Sequence, residues 1–389
     1  MIRNTVLFLL FSCLAQMIFA QTLLQGRVTD AETGEALPFA KVMSSGRHGT
    51  LANKHGDFSI MGTEDDTLTI SYIGYEKKSV KAVIMPATIR LKPLVKEMGE
   101  LIVLPKPKGE ILDSIRNKLR MEYIQNWDKT SIYFFRTFIE RKDSTNEMIE
   151  GFYNAFSAVN IGRPVIISGQ TLQFGITDNK PLLKTNLQRL FLLGPIIYEE
   201  NFWNQALQPL GESEAMKKAY DSNFITMYDE KGQKIYKIKL LFNGWAPKEW
   251  YGRVVIQGTL FVDAQTLDIL HFDGIVLGLR QVFDGVRETM ELTFRVDYSH
   301  ERAYTEVTHI SFDGGTSALK YHCLLFNVDE GLPLTNQISV GNLVGGIKEA
   351  GYDQSLWEKY DIVRRTEEEE RAAVKGKKDN MPKPLSVTK

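Results

Sequence analysis

The chain has 389 residues, 43% of them hydrophobic, and 47 lysines and arginines stand against 48 aspartates and glutamates for a formal net charge of −1. A balanced charge with no basic stripe gives no field for nucleic acid, while the length allows two or three domains with ample cores. With only two cysteines, Cys13 and Cys323, a disulfide-stapled scaffold is excluded.

Residues 1–20 read as a signal peptide: Arg3, then an apolar stretch from Val6 to Phe19, then Ala20 before the expected cut. Leu10-Phe11-Ser12-Cys13 offers a competing lipobox with Cys13 lipidated, but Phe11 is bulky for that motif. The longest later apolar run, Leu190–Ile197, contains Gly194-Pro195 and cannot make a transmembrane helix. The expectation is an exported chain, in the periplasm or associated with the outer membrane.

From residue 22 to 93 short strands alternate with turn residues every eight to twelve positions, which predicts a seven-stranded β-sandwich. Leu24–Val28 is the first strand, and Asp30–Gly34 a turn in which glycine can take positive φ. Pro38 is placed at the head of a strand Phe39–Met43, and Gly49–Gly56 as a second turn before Asp57–Ile60. Thr67–Ile73 alternates strictly, so it buries one face. Ile89–Leu91 closes the module. Three blocks in order, GRVTDAETGEALPFAKV at 26–42, GTLANKHGDFSI at 49–60 and DTLTISYIGYEKKSV at 66–80, resemble the carboxypeptidase-regulatory-like domain. That family is a transthyretin-like sandwich, common at the N-termini of exported Bacteroidetes proteins including TonB-dependent receptors. The resemblance implies an accessory module, since peptidase chemistry in such proteins belongs to a separate zinc domain with a His-x-x-Glu pair. None of the six histidines (48, 55, 271, 300, 309 and 322) is followed three residues later by glutamate.

Residues 94–108 are a proline-containing linker with a short apolar strand, Leu101–Leu104. Residues 109–365 then form a larger β-rich domain opened by a helix over Glu110–Asn126, whose Ile111, Ile115, Leu119 and Tyr123 make one apolar stripe. Strands at Ile132–Ile139, Met148–Val159, Lys234–Phe242, 254–262, Leu267–Phe272 and 292–298 predict an antiparallel meander, open or curved into a half-barrel, buried on one face. Leu182–Leu210 is Leu-rich, with Asn201–Leu207 helical in pattern, and is expected to cover the meander. Residues 366–389 read as a solvated helix end followed by disorder. Tyr133-Phe-Phe-Arg136 resembles the segment that follows such sandwiches in related envelope proteins, and GTLFVDAQTLDILHFDG at 258–274 resembles the hairpins of half-open sheets in the lipoprotein-carrier class. That class holds acyl chains on a concave apolar face.

Chemistry is thinly signalled. His300-Glu301 with His309, or His322 beside Cys323, are the metal candidates, but no four-ligand spacing accompanies them. Adjacent strand residues point to opposite faces, which makes Cys323 a core thiol. Nucleophile-elbow and nucleotide-binding motifs are absent, and the Glu367–Glu370 run reads as a solvated helix face. Trp245, Trp250 and Tyr251 sit among Asn243-Gly244 and Pro247-Lys248-Glu249, a loop context that makes them the binding candidates. The reading is a mainly β, non-enzymatic envelope protein with a binding or assembly role, no cofactor and no metal, whose partner is an envelope protein or an apolar ligand. The competing reading is a carbohydrate- or peptide-processing protein.

Overall fold

A computed structural model describes residues 22–45, 49–93, 107–126, 129–141, 146–156, 165–174, 206–207, 210–211, 213–230, 233–245, 248, 254–283, 286–298, 305–314, 319–332, 347, 349–360, 362–371 and 373. They fall into two compact units, one within Met1–Lys96 plus Ser355–Thr366, the other within Glu97–Gln354 plus Glu367–Lys389.

The first unit is the expected sandwich. Its strands are β1 (Thr22–Asp30), β2 (Lys41–Ser44), β3 (Gly49–Leu51), β4 (Asp57–Gly62), β5 (Thr67–Ser71), β6 (Lys78–Lys81) and β7 (Thr88–Leu91). They form two sheets, β4-β1-β7 and β3-β2-β5-β6, with only β1 and β7 parallel. Alternate residues of both sheets, among them Val28, Val42, Phe58, Ile60, Leu68 and Ile70, are fully buried and supply the core. The Asp30 turn is an Asx turn: its Oδ1 accepts from the N–H groups of Glu32 at 2.6 Å and Thr33 at 3.1 Å, and Gly34 has φ 75°. Tyr75 donates its hydroxyl to Asp30 Oδ2 at 2.6 Å, tying the turn to the β5–β6 connection.

Two local expectations are corrected. The strand placed at Phe39–Met43 begins only at Lys41, because Leu37–Ala40 is a turn in which Phe39 has φ 62°. Proline sets φ of the turn's first central residue, and the positive φ of the second is the geometry of a type II turn. The Phe39 ring is 7% exposed, so its burial holds a conformation that a β-carbon disfavours. Gly49–Leu51, placed in a turn, is instead a strand paired with β2. The turn that follows is confined to 53–56, closed by Asn53 Oδ1 accepting from His55 and Asp57 N–H groups and by Gly56 at φ 79°.

The second unit is built on one open antiparallel sheet. After helix α1 (Lys108–Asn126) come β8 (Thr130–Arg141), β9 (Asn146–Phe156), β10 (Val165–Phe174), the two-residue β11 (Ala206–Leu207), a short α2 (Glu214–Ala219), β12 (Tyr220–Glu230), β13 (Gln233–Phe242), β14 (Val254–Asp263), β15 (Ile269–Phe283), β16 (Val286–Tyr298), β17 (Thr305–Gly314) and β18 (Leu319–Glu330). Sheet order is β10-β9-β8-β18-β17-β16-β15-β14-β13-β12, with β11 added in parallel to β14. A meander from β12 to β18 is thus completed by the earlier strands, which join it through β8 on β18. Among the described residues β10 and β12 are the edges, and the sheet does not close into a barrel. The helical pattern at Asn201–Leu207 is overturned at its end, where Ala206 and Leu207 are extended and pair with Val254 and Val255.

Ile111, Ile115 and Leu119 of α1 are buried as their spacing predicts, and Leu112 joins them. Cys323 is fully buried, with Tyr321 and Leu325 on the same face of β18. Burial pushes its thiol well above the usual range, which makes it a core thiol rather than a nucleophile. The signal peptide with Cys13, Leu101–Leu104, most of Leu182–Leu210 and His300 lie outside the described residues.

Candidate functional site

The two faces of the second sheet have opposite chemistry. Its inner face carries one apolar cluster running from Tyr133, Phe135 and Tyr153 at one end, through Leu325, Phe294 and Phe272, to Ile256 and Ile238 at the other. Helix α1 packs into this cluster, together with the single side chains Leu210 and Ile347. A fixed ion pair anchors the helix: Lys118 Nζ lies 2.6 Å from Asp268 Oδ1 in the β14–β15 turn and 3.2 Å from Glu122. The turn itself is another Asx turn, with Asp263 Oδ1 accepting from Gln265 and Thr266 N–H groups at 2.8 Å each.

Gly258 and Gly274 face each other across β14 and β15 on this inner side. A β-carbon on Gly258 would lie 2.1 Å from the Asp273 carbonyl oxygen, and one on Gly274 would lie 2.0 Å from that of Gln257. Paired glycines therefore let the two backbones approach where no other residue would fit.

The outer face carries charge. One cross-strand row reads Asp273, Arg295, His309, Leu324, Arg136, Glu150 from β15 to β9. His271, beside this row, is 4% exposed and sits between two carboxylates, Nδ1 at 2.5 Å from Asp297 Oδ1 and Nε2 at 3.2 Å from Asp273 Oδ1. Arg295 backs Asp297 at 3.2 Å. Burial pulls against the imidazolium, but the charge of Asp297 and the hydrogen bonds to Asp273 and Asp297 outweigh it and hold His271 above its usual 6.5. Burial likewise disfavours the Asp297 carboxylate, yet Arg295 and His271 hold it well below the usual range. Both ring nitrogens are thereby committed. The arrangement clamps the ring between two carboxylates that favour its charged form.

At the other end of the row Arg136 is 2% exposed and Glu150 fully buried. Arg136 Nε donates to Glu150 Oε2 at 2.8 Å, and its guanidinium lies 5.2 Å from the Phe134 ring centroid. The cover is the C-terminal helical turn at 367–371. The run of glutamates expected to face solvent does so at Glu367 and Glu370, but Glu369 is 4% exposed. Its carboxylate meets His322 Nε2 at 2.7 Å and Arg136 Nη1 at 3.5 Å. Ala373 packs on Phe138 and Met148. Sequence reasoning missed this site. Its one trace was Tyr133-Phe-Phe-Arg136, an aromatic run that ends in a charge.

Of the binding candidates, Trp245 is described. It is 37% exposed, in a turn held by Asn243, whose Oδ1 accepts from Trp245 N–H at 2.9 Å and whose Nδ2 donates to the Lys218 carbonyl at 2.8 Å. Lys218 Nζ lies 4.3 Å from the ring centroid, so a cation–π contact already uses the ring. Trp250 and Tyr251 lie outside the described residues. Among the described residues no three His, Cys, Asp or Glu side chains are grouped to hold a metal ion, and no helix is long and apolar enough to cross a membrane.

Residues 24–103 match the model of the CarboxypepD_reg-like domain. The N-terminal sandwich is thus a carboxypeptidase-regulatory-like domain, as its three motif blocks implied. No curated protein matches the sequence. Among solved structures, the chain is similar to a LolA superfamily protein from Nitrosomonas europaea at 11% identity and a TM-score of 0.25, over 58% of this chain and 94% of that one. A DUF1329 family protein from Desulfovibrio piger is similar at 8% identity and a TM-score of 0.24, over 62% and 99%. The complex of MucA and MucB from Pseudomonas aeruginosa follows at 6% identity and a TM-score of 0.15, over 55% and 93%. These scores are too low for any property to be carried from those proteins to this one.

Proposed function

We propose that this chain is an exported, non-enzymatic protein of the cell envelope that binds an apolar, acyl-type ligand within its larger unit, at the periplasmic side of the outer membrane. The observation that carries the reading is the apolar inner face of an open sheet. Ten strands set side by side about 4.8 Å apart span roughly 43 Å, whereas the 19 residues of α1 make a rod about 28 Å long and about 10 Å wide. One such helix covers less than half of that face. Displacing α1, the longest element packed on that face among the described residues, would open apolar surface to an acyl chain. Export is supported by the cation and apolar run of residues 1–20, and an accessory sandwich at the N-terminus suits an envelope protein.

The test is native mass spectrometry with lipid extraction on the mature protein purified from its own envelope. The expected result is a bound acyl species that is lost when Ile115→Asp places a charge on the inner face of a chain that remains folded by circular dichroism. An empty monomer from that source would overturn the reading.

A further inference from the structure

We infer that Arg116 of α1 receives the anionic head of the ligand, a carboxylate or a phosphate at the end of an acyl chain whose tail lies on the inner face. The inference rests on the acyl reading above and narrows it, from apolar ligands at large to amphiphiles with an oxyanion head.

The buried stripe of α1 is Ile111, Leu112, Ile115 and Leu119. At about 3.6 residues per turn, Arg116 lies about 100° round the helix from Ile115, and Lys118 about 60° round the other way. Two cations therefore flank the stripe on opposite sides, and they are treated differently. Lys118 is taken up by the sheet, 2.6 Å from Asp268 in the β14–β15 turn. Arg116 is paired within its own helix, where Nη1 donates to Asp113 Oδ1 at 2.9 Å, and that carboxylate is 59% exposed.

The Arg116 side chain is nonetheless only 10% exposed, and its Nε is buried without a hydrogen-bond partner. A buried, unmet donor on a charged group is costly, and an arginine serving only as surface charge avoids that cost by turning its head to water. Nε and Nη2 form the edge with which a guanidinium grips carboxylate or phosphate through two parallel N–H···O bonds. Asp113, bound at Nη1, leaves Nε of that edge unfilled. Arg120, one turn further along the same flank, is exposed. Like charges four residues apart on a helix repel, and an anion bound beside them relieves the repulsion. The flank thus joins an apolar stripe to an unmet cationic donor, which is what the tail and head of an anionic amphiphile require.

The test is calorimetric titration of the full mature chain, stripped of lipid, with dodecanoate, dodecyl phosphate and dodecanol, which share one tail and differ in the head. At least one anion should bind about tenfold or more tighter than dodecanol, the worth of a charge-assisted hydrogen bond, and the one that does so tells carboxylate from phosphate. Arg116→Gln should abolish that preference. Asp113→Asn, a change at an exposed position, removes the internal competitor for the guanidinium and should raise anion affinity about threefold relative to dodecanol. Three results would each overturn the assignment while leaving the acyl reading in place: equal binding of the three ligands, a preference that survives Arg116→Gln in a chain folded by circular dichroism, or no gain in Asp113→Asn. Failure of all three ligands to bind would overturn both.

Discussion

The two ends of the large sheet are made of the same kind of strand and treat solvent differently. In β13, Tyr236, Ile238 and Leu240 are buried while Lys239 on the other side is exposed, so one face meets water. In β8 every residue from Ser131 to Ile139 is buried. One set of β8 side chains lines the inner cluster, and the other includes Phe134, which packs on Phe152, and Arg136 and Phe138, which meet the outer cover. The difference lies in the pattern of the sequence: alternation means one buried face, and an uninterrupted run such as IYFFRTFI means two. What is buried on the second face of β8 also differs in kind. Inner-face burial is apolar, whereas outer-face burial includes a guanidinium and two carboxylates that must be paired to be tolerated.

The largest expected effect separates the two ends directly. Arg136→Met should destabilise the chain by about 3–5 kcal/mol, because it strands the Glu150 and Glu369 carboxylates without their cation. Lys239→Met, the matching change on the exposed face of β13, should stay within about 0.5 kcal/mol. Urea midpoints for the two variants test the contrast, and similar losses would mean that the outer cover does not exclude water from β8. Next in size is Gly258→Ala, where the new methyl would lie against a carbonyl oxygen that cannot retreat without moving β15. A loss of about 1–3 kcal/mol is expected from overpacking, and a neutral result would show that β14 and β15 separate there at no cost.

A pH series sharpens the comparison on the stretch between the ends. His271 is held above its usual 6.5 in the folded state, so its stabilisation is complete below that value and is lost as pH rises through the folded value. The stability gap between the parent chain and His271→Gln should accordingly narrow from about pH 6 upward. Asp297 has the opposite sign. Its carboxyl is held below the usual 3.8, so its contribution is present above that pH and is lost as pH falls through the folded value. A gap that widens above neutrality would mean His271 is not clamped as an imidazolium. The smallest effect belongs to Trp245→Ala. With the ring over a third exposed and only a cation–π contact to Lys218, the change should cost about 0.5–1 kcal/mol. The same variant titrated with soluble oligosaccharides by calorimetry tests whether the indole also serves as a stacking surface.

Much of the fold was legible. Turn residues punctuated the sandwich, four-residue spacing placed the buried stripe of α1, and alternation placed the meander, because each is a local pattern. The errors were local competitions: Pro38 took Phe39 into a turn rather than a strand, and Ala206-Leu207 found a partner edge on β14 instead of a helix. The charged outer row was not legible. Arg136, Glu150, His322 and Glu369 are scattered over more than 230 positions, and only strand register brings them together. Glu369 in particular stands in a run of four glutamates, where composition argues for water. Nothing in that run distinguishes the one glutamate that faces the sheet from the three beside it.

The facing glycines at 258 and 274 act as a spacer of no thickness. At this rung of the ladder backbone lies against backbone, with a carbonyl oxygen of each strand where the other's β-carbon would stand. The spacing of β14 and β15 is therefore set here by main-chain atoms, which every sequence shares, and the apolar neighbours Ile256, Leu260, Phe272 and Val276 inherit that spacing whatever their own bulk.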